Sequence, residues 1–251
     1  MLSVLKNVGM DFRHFPALVL ASCVIVLGLS PARVLAQGNK QLELLYSDAF
    51  DGRGREDQMI ATYKQNNTWS VGDSFLFLDI AHLGNIENGG NFYFEWQPRL
   101  SLGQLFRDAP LAFGPFSDVF FMAEIDRVHN KRVHNNIYLA GLSSNLALPG
   151  FRFFKFSLLA RNDPTQPGSA GQITLSWNYP FTLGSQQFSI EGFLDSAGSE
   201  GNASNFTIVQ PQFLWTYNEL LKFGLEYNYW HNKGRAGFNE TAWQLMMRFT
   251  F

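Results

Sequence analysis

The sequence predicts an all-β protein, a transmembrane antiparallel β-barrel of about twelve strands. Its last eleven residues, Thr241 to Phe251, place large apolar side chains at every second position and polar ones at most positions between. This period of two is typical of a strand with one apolar and one polar face. The mean hydropathy of the chain is only −0.09. A barrel has such a value because its apolar lipid face is averaged against a polar lumen, whereas a helical membrane protein is far more apolar.

The N-terminal part resembles a secretory signal peptide. Basic residues precede an apolar run, Phe15 to Leu29, and small residues follow up to Ala36, after which we expect cleavage. A lipoprotein cleavage box ending at Cys23 is disfavoured, because the apolar run continues past it. We therefore expect a cleaved signal over residues 1–36 and a single barrel domain over residues 37–251. The only cysteine lies in the signal, so the mature part has no disulfide.

Six strands are expected in the first part of the mature chain, separated by Gly/Asn-rich or charged turns. They cover Gln41 to Ala49, Gln58 to Asn67, Asp73 to His82, Asn91 to Leu100, Ser117 to Val128 and Asn136 to Leu146. The fourth has the clearest alternation, with aromatic residues on one face and mostly polar residues on the other. Ser101 to Phe116 is the longest connection, and we expect it to be irregular.

Six further strands follow. They cover Arg152 to Arg161, Gln172 to Tyr179, Gln187 to Asp195, Asn205 to Trp215, Leu221 to Trp230 and Thr241 to Phe251. Most are close to the about 9–11 residues that a tilted membrane strand needs. An even number of strands puts both termini on one side of the membrane, which we expect to be the periplasmic side. The faces of the sixth and tenth strands stay ambiguous, because in the tenth two apolar stripes compete.

The polar faces of these strands predict the lining of a pore, made of aromatic and ionisable side chains. The candidates for pore lining and substrate contact are Phe75, Phe77, Asp79, Tyr93, Glu95, Arg99, Glu124, Lys155, Glu191, Phe193, Glu226, Trp230 and Arg248. Aromatic faces stack on flat solutes, and carboxylates bond to sugar hydroxyls, so the set favours a narrow, selective channel. The competing interpretation is that inward charges only pair with one another and that Arg99 anchors the long connection.

The stretch from Trp96 to Pro115 resembles the Tsx-like family of nucleoside-specific outer-membrane channels, which includes the phage-receptor porin OmpK. The residues that match are Pro98, Arg99, Leu100, Ser101, Leu105, Leu111, Phe113, Gly114 and Pro115, with weaker matches in Gly72 to Asp79, Leu146 to Phe151 and Glu226 to Gly234. The resemblance implies a twelve-stranded, monomeric, narrow channel for nucleosides, whose outer loops phages or colicins could use as a receptor. The chain is more similar to the OmpK-type branch, in which pore-lining positions can differ.

Other function classes have less support. We expect no catalytic residue, metal or cofactor, since a passive channel needs none and the histidines lack metal-ligand spacing. The alternative is a barrel enzyme that hydrolyses lipid or peptide at its extracellular rim, where Ser143, Ser144 or Asp195 could act with a histidine. A third interpretation is a non-conducting barrel filled by its own side chains.

The expected partners follow from these interpretations. They are small solutes (nucleosides by resemblance), the lipid bilayer of the outer membrane, and the barrel assembly machinery, which would recognise Phe251. The formal net charge of −2 does not indicate a nucleic-acid partner.

Overall fold

The computed structural model describes residues 37–50, 56–83, 91–130, 133–234 and 237–251, which form twelve strands and one short helix. The elements are β1 (Gln37–Phe50), β2 (Glu56–Trp69), β3 (Gly72–Ala81), β4 (Asn91–Ser101), α1 (Leu102–Arg107), β5 (Phe116–His129), β6 (His134–Leu146), β7 (Phe153–Asn162), β8 (Ala170–Leu183), β9 (Gln186–Ala197), β10 (Phe206–Thr216), β11 (Leu221–Lys233) and β12 (Phe238–Thr250). The predicted signal peptide lies outside the described residues. Within them, no helix is long and apolar enough to cross a membrane.

The strands form one closed antiparallel sheet, in which each strand pairs with its sequence neighbours and β1 pairs with β12. At this seam the register runs from Gln41 opposite Thr250 to Tyr46 opposite Leu245. Beyond it, Lys40 and Phe251 exchange two backbone hydrogen bonds of 3.2 and 2.9 Å. Closure leaves no unpaired sheet edge within the membrane. The prediction of an antiparallel barrel of about twelve strands is confirmed.

Alternate side chains separate a largely apolar exterior from a mostly polar lumen. On β12, Trp243 and Leu245 are each 64% exposed on the outside, whereas Gln244 and Arg248 are each only 2% exposed inside. Paired residues on neighbouring strands point to the same side, so this division extends around the sheet. The strands have between 10 and 14 residues, enough to cross a bilayer when tilted. The chain is thus built as an outer-membrane β-barrel.

The lumen also contains apolar side chains. Two buried clusters lie inside, Leu45 with Leu214 and Met246, and Met122 with Ile137, Leu139 and Leu159. The first cluster settles the ambiguity of the tenth strand. Ile208 and Leu214 point inward because they lie opposite the inward residues Asp195 and Ser189 of β9.

The connections lie at two ends of the barrel. We call the end at which β1 begins and β12 ends, with the turns after even-numbered strands, the terminal end. The other, with the connections after odd-numbered strands, is the loop end. That the terminal end faces the periplasm stays a prediction.

The connection between β4 and β5 is partly helical, so the expectation of an irregular segment over Ser101 to Phe116 was wrong for α1. Ser101 caps the helix, since its Oγ accepts a 3.0 Å hydrogen bond from the Gln104 N–H. Gly103 lets the chain fold back closely, because a Cβ there would lie 2.3 Å from the Ala109 carbonyl oxygen. The sequence contains this Ser cap, but its helix is only 6 residues long. That is too short for the spacing of Leu102, Leu105 and Phe106 to predict a helix.

The lumen as the candidate functional site

The register places every predicted pore-lining residue on the lumen side of its strand. From Lys222, the inward pairing passes to Arg248, Glu43, Thr62, Asp79 and Tyr93 on successive strands. Two groups of candidates come together, Phe75, Phe77, Tyr93, Glu95 and Glu124 on β3 to β5, and Glu191 with Arg248 on β9 and β12. Contact of these residues with a solute stays a prediction.

Arg248 is the centre of a buried polar network in the terminal half of the lumen. Its guanidinium donates to Glu43 Oε1 at 2.7 Å, to Gln212 Oε1 at 2.5 Å and to Glu191. Glu43 is also 3.0 Å from the Lys64 ammonium. The network therefore ties β1, β2, β9, β10 and β12 across the lumen. A buried arginine is tolerated here because its donors meet carboxylate and amide acceptors.

Arg99 forms a second network on the opposite wall. Its Nε donates to Asp73 Oδ1 at 2.7 Å, and its Nη1 donates to Ser143 Oγ and Asn145 Oδ1 at 3.1 and 3.0 Å. The guanidinium carbon lies 4.2 Å from the ring centre of Phe120, a cation–π distance. Arg99 thus joins β3 to β6 within the lumen, instead of anchoring the long connection. Its pairing with Asp73 fits the competing interpretation that inward charges pair with one another.

Three aromatic rings form a track along the lumen wall. The ring centre of Phe77 lies 6.3 Å from that of Phe75 and 6.1 Å from that of Tyr93. Acidic groups flank the track, since Tyr93 donates a 3.1 Å hydrogen bond to Glu95 Oε2 and Asp79 lies opposite Tyr93 in the register. This wall presents flat apolar faces beside hydrogen-bond acceptors.

Charge is distributed unevenly along the barrel axis. Acidic lumen residues concentrate toward the loop ends of their strands, at Asp79, Glu95, Asp126 and Asp195. Basic residues of the terminal half are Arg99, Lys155, Lys222 and Arg248. Arg161 and Lys233, near the loop end, are instead paired with Glu200 and Glu240. The terminal half also holds Glu43, Asp73 and Glu191, the carboxylates of the two arginine networks. The unbalanced charge of the lumen is therefore the acidic excess toward the loop end.

A cavity of about 310 Å³ opens near the terminal end. Its polar lining comes from inward residues of β8 to β11 together with Arg152 before β7. The lining residues are Arg152, Pro180, Phe181, Thr182, Gln187, Phe188, Ser189, Thr216 and Lys222. Because Lys222 lines this cavity and lies opposite Arg248, the cavity adjoins the Arg248 network.

At the loop end, two loops are held together by Glu200. Its carboxylate accepts from Arg161 and, at 2.7 Å, from the backbone N–H of Asp163. Gly201 has a φ of 56°, and a Cβ there would lie 2.4 Å from Pro167 Cδ, so only glycine suits this close loop contact. Asp163 in turn accepts a 2.7 Å hydrogen bond from Asn135 Nδ2. Glu200 thereby joins the loops after β7 and β9 to each other, and the bond between Asp163 and Asn135 ties them to the start of β6.

The two loop carboxyls have pKa values displaced in opposite directions. Burial acts to raise the pKa of Asp163, but hydrogen bonds from Thr165 and Asn135 outweigh it and leave that pKa below its ordinary value. Burial raises the pKa of Glu200 above its ordinary value, and the opposing effects of the Asp163 N–H and Arg161 only partly offset it. These opposite displacements predict that the contact between the loops depends on pH.

Several lumen residues with structural roles were not among the sequence candidates. Glu43, Asp73 and Gln212 each complete a network around an arginine. The sequence marks Glu43 as a possible lumen residue, because this charged residue interrupts an apolar stretch, Leu42 to Leu45, at an alternate position. The amide of Gln212 has no such signal, since its partner Arg248 lies 36 residues away in sequence.

The two serines considered for an enzymatic site do not meet a histidine in the described part of the chain. Ser143 bonds to Arg99 and Ser157, and Ser144 donates to the Asp118 carbonyl at 2.6 Å, both toward the terminal end. His129 and His134 lie at the loop end, where their Nδ1 atoms are 2.7 Å apart. The structure thus separates these serines from the histidines of the predicted outer rim.

Fold and lumen together define the class of this protein, a twelve-stranded outer-membrane β-barrel with a porin-like arrangement of apolar exterior and polar interior. No family model matches the chain, and no curated protein matches it.

Among solved structures, the chain is similar to a KdgM porin, with a TM-score of 0.49 and 9% identity over 84% of this chain and 99% of that one. A NanC porin gives 0.48 and 9% identity, over 84% of this chain and 98% of that one. The beta domain of the Bordetella autotransporter BrkA gives 0.37 and 9% identity, over 84% and 98%. The assignment of the fold rests on this chain's own strand pairing. The resemblance to the Tsx-like family stays a prediction from the sequence.

Proposed function

We propose that this barrel is a narrow channel for the passive diffusion of small polar solutes, and that nucleosides are its solute class. The observation that carries the proposal is the aromatic track of Phe75, Phe77 and Tyr93 on the lumen wall, flanked by carboxylates. A nucleoside combines a flat base with a hydroxylated sugar. Stacking on an aromatic ring contributes about 1–3 kcal/mol per base, and carboxylates accept hydrogen bonds from sugar hydroxyls.

Unpaired polar atoms in the lumen support this assignment. Among the described residues, buried atoms without a hydrogen-bond partner include Trp230 Nε1, Gln244 Oε1, Asn178 Oδ1 and Ser189 Oγ. All four side chains point into the lumen by their strand register. A buried polar atom without a partner is costly unless water or a solute satisfies it. To a passing polar molecule, Trp230 offers a donor, Gln244 and Asn178 offer acceptors, and the Ser189 hydroxyl can do either.

The side-chain networks make the pore narrow. The Arg248 and Arg99 networks reach over several strands each, and apolar clusters fill part of the remaining section. A narrow lumen with weak, repeated contacts along its wall favours the passage of one small solute at a time over the flow of bulk solvent. The excess of acidic groups toward the loop end should also make the current through the pore depend on the sign of the voltage.

The test is conductance of the purified protein in a planar lipid bilayer, with uridine or adenosine added to one side. We expect a small, steady conductance that nucleosides reduce. Phe77→Ala should weaken that block, because it removes the middle ring of the track. Phe94→Ala is the matched control, since Phe94 lies on the outward face of β4 opposite Leu78.

Each outcome separates one interpretation from another. No conductance would show a non-conducting barrel, filled by its own side chains. Conductance that nucleosides leave unchanged would refute the solute class but retain the channel. Hydrolysis of phospholipid or peptide by the wild type, abolished by His129→Ala, would favour the enzyme instead. Receptor use of the loop end by phages or colicins is a separate proposal from sequence resemblance, tested by adsorption to cells that express the barrel.

A further inference from the structure

Three carboxylates meet in the acidic half of the lumen, on the two neighbouring strands β4 and β5. Glu95 lies directly opposite Asp126 in the register, and Glu124 shares the inward face of β5 with Asp126. One carboxylate oxygen from each of the three lies within 4.8 Å of the others. Glu124 and Asp126 are only 3% and 7% exposed. The sheet thus holds three acidic groups together in a space with little solvent.

This concentration of negative charge requires compensation. Among the described residues, no lysine or arginine forms an ion pair with any of the three. Asp79 and Asp195 add further negative charge beside Glu95. Arg161 is the basic group that acts on Asp126, but its guanidinium is bonded to Glu200. Like charges this close inside a protein need either protons or a bound cation.

The cluster also has a free ligand atom and orienting neighbours. Asp126 Oδ1 is buried without a hydrogen-bond partner, so it is available to a ligand held between the three groups. Gln97 Nε2 donates to both Glu95 and Glu124, the latter at 3.1 Å, and Tyr93 donates to Glu95 Oε2. Such bonds fix carboxylates in place while leaving further lone pairs on them, as the outer shell of a metal site does.

We propose that Glu95, Glu124 and Asp126 form a lumenal binding site for a hard divalent cation, namely calcium. All-carboxylate oxygen donors select hard cations and disfavour zinc or copper. Oxygens at the usual calcium distance of about 2.4 Å lie up to about 4.8 Å apart across the ion, so three oxygens within 4.8 Å of one another can share one ion. Magnesium demands a near-octahedral shell and usually keeps several waters, whereas Glu124 and Asp126 are almost closed to solvent. This site goes beyond the proposed channel function and does not depend on it.

The test measures calcium binding directly, by titration calorimetry on the full barrel folded in detergent and freed of metal with a chelator. We expect one calcium ion per barrel. Asp126→Asn, which keeps the shape but removes the charge, should weaken binding at least about tenfold. Terbium should bind in place of calcium with luminescence sensitised by Tyr93, and Asp126→Asn should reduce that signal.

The control is Glu240→Gln, which removes one buried lumen carboxylate that is paired with Lys233 on β11. It should bind calcium as tightly as the wild type. Folding of each variant is checked by its heat-dependent mobility on gels, and Glu124→Gln replaces Asp126→Asn if the latter does not fold. Absence of calcium binding, undiminished binding by the cluster variants, or tighter binding of magnesium would overturn the proposal. Since binding is measured without a current, a barrel that fails to conduct still gives an independent answer here.

Discussion

Glu43 of β1 lies directly opposite Arg248 of β12, and the two side chains meet inside the lumen, where Arg248 Nε donates to Glu43 Oε1 at 2.7 Å. The two residues are 205 positions apart in sequence. Both are nearly inaccessible to solvent, at 1% and 2% exposure. The seam of the barrel is thus held by a buried ion pair as well as by backbone pairing. A slip of one strand by one residue would turn one of the two charges toward lipid and leave the other unpaired, so the pair also specifies the register.

Replacement of Arg248 should weaken the barrel. Arg248→Ala leaves Glu43 and Glu191 buried without their main partner, although Lys64 remains 3.0 Å from Glu43. Removal of one member of a buried ion pair typically costs about 3–5 kcal/mol of unfolding free energy. The measurement is urea-induced unfolding in detergent micelles.

The control for this prediction is Arg127→Ala. Arg127 is exposed on the outward face of β5, with a weak 3.4 Å contact to Asn136. Its removal should change the unfolding free energy by less than about 0.5 kcal/mol. If both variants unfold at the same urea concentration as the wild type, the Arg248 network does not stabilise the seam.

Phe251 should matter for assembly in cells more than for stability of the folded barrel. Its backbone bonds with Lys40 extend the seam, while its side chain is 65% exposed. Phe251→Ala keeps these backbone bonds, so the unfolding free energy should change by less than about 1 kcal/mol. The yield in the outer membrane should nevertheless fall, if the assembly machinery recognises the terminal aromatic ring. Deletion of Phe251 should lower both quantities, and an unchanged outer-membrane yield for Phe251→Ala would contradict the recognition role.

The contact between the two loops at the loop end should respond to pH in two ways. Asp163 has a lowered pKa, so its stabilising contribution is complete above the ordinary value of 3.8 and is lost as the pH falls through the lowered pKa. Glu200 has a raised pKa, so the folded loops favour its protonated form, and stability declines as the pH rises above its ordinary value of 4.5. Hydrogen exchange of the Asp163 amide, corrected for intrinsic rates, should show two limbs in its pH profile. Protection of the amide should fall at low pH because of Asp163, and it should fall again above pH 4.5 because of Glu200.

A single variant isolates the second limb. Glu200→Gln keeps an oxygen acceptor for the Asp163 N–H but cannot ionise, so the decline of protection above pH 4.5 should disappear. The limb due to Asp163 at lower pH should remain. Persistence of the upper limb in Glu200→Gln would assign it to another group.

The sequence predicted the barrel and the inward faces well, because both follow from a period of two that each strand carries locally. It could not resolve β10, where Phe206, Ile208 and Leu214 compete with outward apolar residues, since the inward choice depends on the partner strands. Nor could it predict that Glu191 meets Arg248, because such contacts depend on the curvature of the closed sheet. Local alternation determines which way a side chain points, but not which residues it meets.

Leu214 offers the last and most direct probe of the lumen. It is completely buried inside, packed with Leu45 and Met246, which makes it part of the wall that narrows the pore. Leu214→Ala should lower the unfolding free energy by about 2–4 kcal/mol, because a packed leucine is replaced by a cavity. The same cavity should raise single-channel conductance in a planar bilayer. Leu245→Ala removes the same atoms from the lipid face, where the side chain is 64% exposed, and should leave conductance unchanged. Equal conductance of both variants would mean that solute does not pass beside Leu214, so the pore would have to run along the opposite wall, past the aromatic track.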